Sequence, residues 1–197
     1  MGQYYKVAMV KETSVKVIEL NGCKLMEHSY YGNLSMRRIE HLLVSDSYRV
    51  MRIGDYSEVS PFVWTYKWED FEEINKDCLL EHEEWKYYYL VNLCRREFIN
   101  MKRQEQNENL KDSFWQVVHP LPLLCRTQTE EAGWDYHSEI NADKIWLWAG
   151  DKIVVYVSKE PLEEHFTKDK KDWYADMTDI LDFKINKNGT ILQSSNG

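Results

Sequence analysis

An α+β fold, built of antiparallel hairpins with a few packed helices, is what the sequence predicts, on three observations. Short stretches rich in Val, Ile, Tyr and Phe come in adjacent pairs, the pattern of strands joined by tight turns. Other stretches space their apolar residues at helical intervals behind capping or acidic residues. Gly 8 and Pro 4 in 197 residues leave little room for long flexible loops. The length suits one domain, 1–197, or two small lobes sharing a core.

The elements follow in order. Tyr4 to Val10 and Val15 to Leu20 alternate and read as a hairpin around Lys11 to Ser14. Asn33 or Ser35 caps a helix whose Met36, Ile39, Leu42 and Leu43 share a face. Tyr48 to Ile53 is a strand ended by Gly54-Asp55, and Phe62 to Tyr66 is a short aromatic strand after Pro61. From 68 to 85 the acids Glu69, Asp70, Glu72, Glu73, Asp77, Glu81, Glu83 and Glu84 face a single Lys76, with Phe71, Ile74 and Cys78 on one helical side. Tyr87 to Val91 favours a strand that returns through Phe98-Ile99 after Arg95-Arg96, and Lys102 to Lys111 reads as a polar loop. Val117 to Leu124 reads as extended chain, because Pro120 and Pro122 push their predecessors out of the helical region. Ile145 to Trp148 and Lys152 to Val157 are two strands split by Ala149-Gly150-Asp151, and Trp173 to Leu181 has helical spacing.

Three landmarks recur in one order. Tyr4-Tyr5-Lys6-Val7 matches Tyr88-Tyr89-Leu90-Val91, Ile53-Gly54-Asp55 matches Ala149-Gly150-Asp151, and Phe71 to Asn75 matches Tyr174 to Thr178. They suggest an internal duplication, with pseudo-symmetric lobes at 1–84 and 85–197.

Charge and cysteines narrow the class. A net charge of −8 suits solubility and a basic partner better than the phosphates of a nucleic acid, so nucleic-acid binding is not expected. Cys23, Cys78, Cys94 and Cys125 lack the close spacing of metal or redox pairs and read as free thiols in a reducing cytoplasm. The N-terminal residues lack a basic and then apolar leader, and no apolar run reaches the length of a membrane span, so a cytoplasmic, non-membrane protein is expected. The chain is tryptophan-rich, Trp 8, which reads either as core or as a recognition surface including Trp64, Trp68, Trp134 and Trp148.

Several of these segments together resemble a group of uncharacterised bacterial and phage-borne proteins. The likeness lies in Met1 to Lys6, Leu25-Met26-Glu27, Gly54-Asp55-Tyr56, Pro120 to Leu124, Gly133-Trp134-Asp135-Tyr136 and Trp148-Ala149-Gly150-Asp151, and it spans most of 1–182. It implies a microbial or viral protein of the cytosol and a mixed fold, and it implies no activity. Relatives often carry a glycine-rich stretch where this chain has Thr127 to Gly133, rich in Thr, Gln and Glu.

Two functional classes remain. The first is a non-catalytic binding or inhibitor protein of mobile-element origin. Its interaction face would comprise Trp64, Trp68, Glu72, Glu73, Glu81, Glu84 and Trp85, where carboxylates steer a basic protein and indoles anchor it. The second is a small Cys/His hydrolase or metal-dependent enzyme using residues 119–139. A thiolate nucleophile needs a base and an orienting acid, and Cys125, His119, His137 and Asp135 are the residue types required. On a strand, Asp135, His137 and Glu139 would share one face and suit a divalent ion. The apolar neighbours of Cys125 and the ordinary polar face of a strand explain these residues equally well. The sequence contains no phosphate-cradling glycine run and calls for no cofactor.

Overall fold

A computed structural model describes residues 5–11, 14–19, 30–54, 87–108, 116–126, 146–159, 161, 174–180, 184–185 and 191–192. They form a mixed, mostly antiparallel sheet with helices on it, an α+β fold. The strands are β1 (Tyr5–Lys11), β2 (Ser14–Glu19), β3 (Tyr48–Gly54), β4 (Tyr87–Asn92), β5 (Glu97–Asn100), β6 (Lys152–Ser158) and β7 (Ala175–Asp176). They lie side by side in the order β2-β1-β3-β6-β4-β5-β7. Every join is antiparallel except β5–β7. β8 (Lys184–Ile185) and β9 (Ile191–Leu192) pair separately. The helices are α1 (Leu34–Ser45), α2 (Met101–Glu105) and α3 (Pro120–Leu124). Among the described residues no helix is long and apolar enough to cross a membrane.

The connectivity occurs twice. Hairpin β1–β2 leads through α1 to β3, which returns beside β1; hairpin β4–β5 leads through α2 and α3 to β6, which returns beside β4. The two sets meet where β3 and β6 pair through Tyr48–Ile153 and Arg49–Lys152. The sequence landmarks do not mark equivalent places in these sets. Gly54 closes β3, whereas Gly150 and Asp151 precede β6. Val7 packs with Met9 in the cluster beneath α1, whereas Val91 packs with Tyr89 and Phe98 in the opposite cluster. Tyr174 to Thr178 is not helical, and its partner segment, Phe71 to Asn75, lies outside the described residues.

The local reasons are specific. Gly32 sits at φ +78 in the turn before α1, a conformation costly for any residue with a Cβ. Asn33 then caps α1 by accepting from the Ser35 N–H at 2.8 Å. Met36, Ile39 and Leu43 point from α1 into the main cluster with Val7, Met9, Tyr48, Val50, Leu90, Ile153 and Val155. Burying a side chain of this size stabilises the fold by roughly 1.5–3 kcal/mol each. The opposite face of the sheet is also buried, at Ala8, Ile53, Tyr89, Val91 and Phe98.

Three expected elements differ. Residues 120–124 form the single-turn helix α3 and not extended chain. His119 is extended, as a residue before proline should be, and Pro120 then opens the helix, where its missing N–H is not needed. Leu121 remains helical although it precedes Pro122, because all five residues of α3 are buried against the core and burial outweighs that local preference. Met101 to Glu105 is a helix inside the expected polar loop, capped by Asn100, which accepts from the Arg103 N–H at 3.0 Å. The expected helix from Trp173 is instead β7 followed by a turn. Ala175 N–H donates to the Arg96 carbonyl at 2.8 Å, and Thr178 Oγ1, buried, donates to Asp176 Oδ1 at 2.5 Å and accepts from the Asn100 N–H. Trp146 to Trp148, the described part of the strand expected over Ile145 to Trp148, form turns, as do Ala149 and Gly150, where a turn is expected. The expected strand at 62–66 and helix at 68–85 lie outside the described residues.

Candidate functional site

Of the residues singled out by sequence, His119 and Cys125 are described. Asp135, His137 and Glu139 lie outside the described residues, as do Trp64, Trp68, Glu72, Glu73, Glu81, Glu84, Trp85 and Trp134. Among the described residues no three His, Cys, Asp or Glu side chains gather as a metal site would require.

His119 and Cys125 stand at opposite ends of α3, and each has a structural task. His119 Nδ1 accepts the Leu121 N–H at 3.2 Å, capping the helix. An accepting Nδ1 carries no proton, so the network assigns the proton to Nε2, which donates to Glu40 Oε1 at 2.8 Å. Both ring nitrogens are therefore committed. Cys125 ends α3: its N–H donates to the Leu121 carbonyl at 3.0 Å, and its carbonyl accepts from Arg52 at 2.7 Å. Its side chain is buried at 1% exposure. Burial pushes the Cys125 thiol well above its ordinary range, and the Asp151 charge adds to the effect. Among the described residues no hydrogen bond joins this thiol to His119 or to any other imidazole.

Glu40 is the residue that sequence reasoning passes over. It is 1% exposed on the apolar side of α1, between the buried Ile39 and Leu43. A buried carboxylate needs hydrogen-bonding partners. Around it stand His119, the Tyr31 ring at 4.9 Å from the imidazole, and Tyr88. The Tyr31 hydroxyl donates to Gln104 Oε1 at 2.6 Å, while Gln104 Nε2 is buried without an acceptor. Burial raises both tyrosine hydroxyls well above their ordinary value, with the Glu40 charge as the next cause. Both phenols are therefore neutral across the physiological range. The signal in the sequence was a carboxylate on the apolar stripe of α1, beside Met36, Ile39 and Leu43.

Trp148 belongs to the core and not to a recognition surface. It is fully buried, and its indole N–H donates to Glu97 Oε2 at 2.6 Å. Arg52 and Arg126, bridged to each other between β3 and the end of α3, are also nearly solvent-free.

A different set of charges is exposed at the middle of the sheet, where β3 meets β6. Arg49 and Lys152 are direct cross-strand partners, and both are exposed. Arg49 Nη1 donates to the Gly150 carbonyl at 3.0 Å. Nearby, Asp151 Oδ2 accepts from Asn92 at 2.9 Å and pairs with Arg95 at 2.7 Å, and Asp46 pairs with Lys11. The ammonium beside Asp46 holds that carboxyl below its usual value. Comparison with protein families, characterised proteins and solved structures finds no match for this chain.

Proposed function

We propose that this chain is a non-catalytic binding protein, an inhibitor-type module of mobile-element origin acting in the cytoplasm, that docks a basic protein partner. The observation that carries the reading is the double commitment of His119. The imidazole caps α3 and binds Glu40, and burial keeps the thiol at the other end of α3 protonated. The reactive residue types of the described core are thus occupied in holding it together. A small Cys/His hydrolase or metal-dependent enzyme drawing on 119–139 would need a free imidazole nitrogen beside an ionisable thiol, and this pair supplies neither.

The charge distribution supports the docking face. Basic residues outnumber acidic ones across the described framework, although the whole chain carries −8. The acidic excess therefore resides in the other stretches of sequence, most densely between Glu69 and Glu84, beside Trp64, Trp68 and Trp85. Carboxylates there would steer a basic surface, and indoles would supply the anchoring energy. The repeated connectivity supports reading the framework as two copies of one hairpin–helix–strand unit, 1–84 and 85–197. The free thiols of Cys94 and Cys125 fit a reducing compartment.

The test is capture of partners from a lysate at low and at high salt. Changing Glu72, Glu73, Glu81 and Glu84 together to Lys should abolish a salt-sensitive set of basic proteins. An unchanged set would reject the docking face.

A further inference from the structure

We infer that the β3–β6 join in the middle of the sheet is an oxyanion site, centred on the exposed Arg49 and Lys152, for a phosphate group carried by a small molecule. This site is separate from the acidic segment and does not depend on it.

The first ground is the opposition of two like charges. Directly opposed residues on antiparallel strands share a face with Cβ atoms about 4.5–5.5 Å apart, and like charges in that position destabilise the pair. Arg49 and Lys152 occupy that arrangement. Among the described residues neither forms a salt bridge; Asp46 pairs with Lys11 and also feels the Lys152 charge, and Asp151 is engaged by Arg95.

The second ground is preorganisation. The Gly150 carbonyl fixes one guanidinium nitrogen of Arg49 at 3.0 Å and leaves its other donors available. Gly150 itself lies at φ +78, the turn conformation that brings its carbonyl to Arg49. A planar guanidinium binds two phosphate oxygens at once, and an ammonium alongside completes the charge. Val10 and Leu93, both partly buried, border the pair on the neighbouring strands and limit the site to a compact group.

The third ground is strain at the rim. The loop from β4 to β5 is held by Asn92, whose Oδ1 accepts from the N–H groups of Cys94 and Arg95 at 2.9 and 3.0 Å. It ends with Arg96 at φ +58, where glycine would sit without cost and an L-residue is disfavoured by about 1–2 kcal/mol. The exposed Arg96, held in that conformation next to the Asp151-paired Arg95, adds a positive charge to the loop that follows Asn92.

Thermal melting and calorimetric titration of the full chain with inorganic phosphate test the site, with ionic strength balanced by sodium chloride. Phosphate should raise the melting temperature of the wild type, as binding to the folded state must. Arg49→Gln and Lys152→Gln should each weaken phosphate binding about tenfold, the effect of losing one charge-assisted contact. Without phosphate, each variant should melt at or above the wild-type temperature, because the like-charge opposition is gone. A purely structural role would instead lower it. A short duplex DNA should add nothing beyond its phosphate charge. Equal phosphate responses in wild type and variants, or a chloride control that reproduces the response, would overturn the proposal.

Discussion

Glu40 Oε1 and His119 Nε2 lie 2.8 Å apart, each side chain 1% exposed, and they tie the middle of α1 to the start of α3 across 79 residues of sequence. The pair sits inside the main apolar cluster, where neither group has water to fall back on. Its two halves should fail unequally. His119→Ala removes the α3 cap and takes one hydrogen-bond donor from the buried carboxylate, at a cost of about 2.5–4 kcal/mol. Glu40→Leu removes the acceptor of the His119 N–H, at about 1–3 kcal/mol. Urea unfolding of the two variants measures the order, and the reverse order would refute the assignment of charge to Glu40.

The thiols should separate by accessibility. Cys94 is exposed, and Cys125 is buried with its thiol held protonated. Brief alkylation at neutral pH followed by peptide mass mapping should find Cys94 modified and Cys125 intact, with Cys125 reacting only in denaturant. Rapid native modification of Cys125 would restore the case for a reactive centre.

Alkali should unfold the protein more steeply than it unfolds one with exposed tyrosines. Tyr88 is fully buried, and burial raises its folded-state value above the ordinary one near 10. For an acid raised on folding, stability is whole below the unfolded value and falls as pH climbs from there toward the folded one. The slope is about 1.4 kcal/mol per pH unit for each such group. Stability measured from pH 9 to 11 should fall along this slope, and Tyr88→Phe should flatten it. Cys125, raised by the same cause, contributes in the same direction from lower pH.

Trp148 should behave as a core residue. Trp148→Ala is expected to cost about 3–5 kcal/mol, whereas Glu97→Gln, which keeps an acceptor for the indole N–H, should cost less than about 1.5 kcal/mol. Partner capture unchanged in a folded Trp148→Phe variant would agree with its burial.

The fold was legible wherever one short segment satisfied its own periodicity. The β1–β2 and β4–β5 hairpins, α1 with its Asn33 cap, β3 and β6 all follow from alternation or helical spacing within a few residues. The elements that escaped are those decided by distant partners. β7 exists because Asp176 and Thr178 bond each other and Asn100 while Ala175 and Met177 pair with β5 and its loop. α3 exists because five apolar residues are buried together despite two prolines. The same limit applies to the site. Glu40 shows in the sequence only as a carboxylate on the apolar stripe of α1, and its partner is hidden until His119 is seen to stand opposite it. The opposition of Arg49 and Lys152 depends on a strand register that no local pattern encodes.

The junction between β3 and β6 also has a mechanical meaning. β1 with β3, and β4 with β6, zip along nearly their whole lengths, whereas across the middle the ladder runs through Tyr48–Ile153 and Arg49–Lys152, prolonged by the exchange of Val50 with Gly150 and Asp151. A flexing load would therefore concentrate on that line, making tilt between the two hairpin sets the softest deformation of the sheet. A phosphate straddling Arg49 and Lys152 would act there as a rivet.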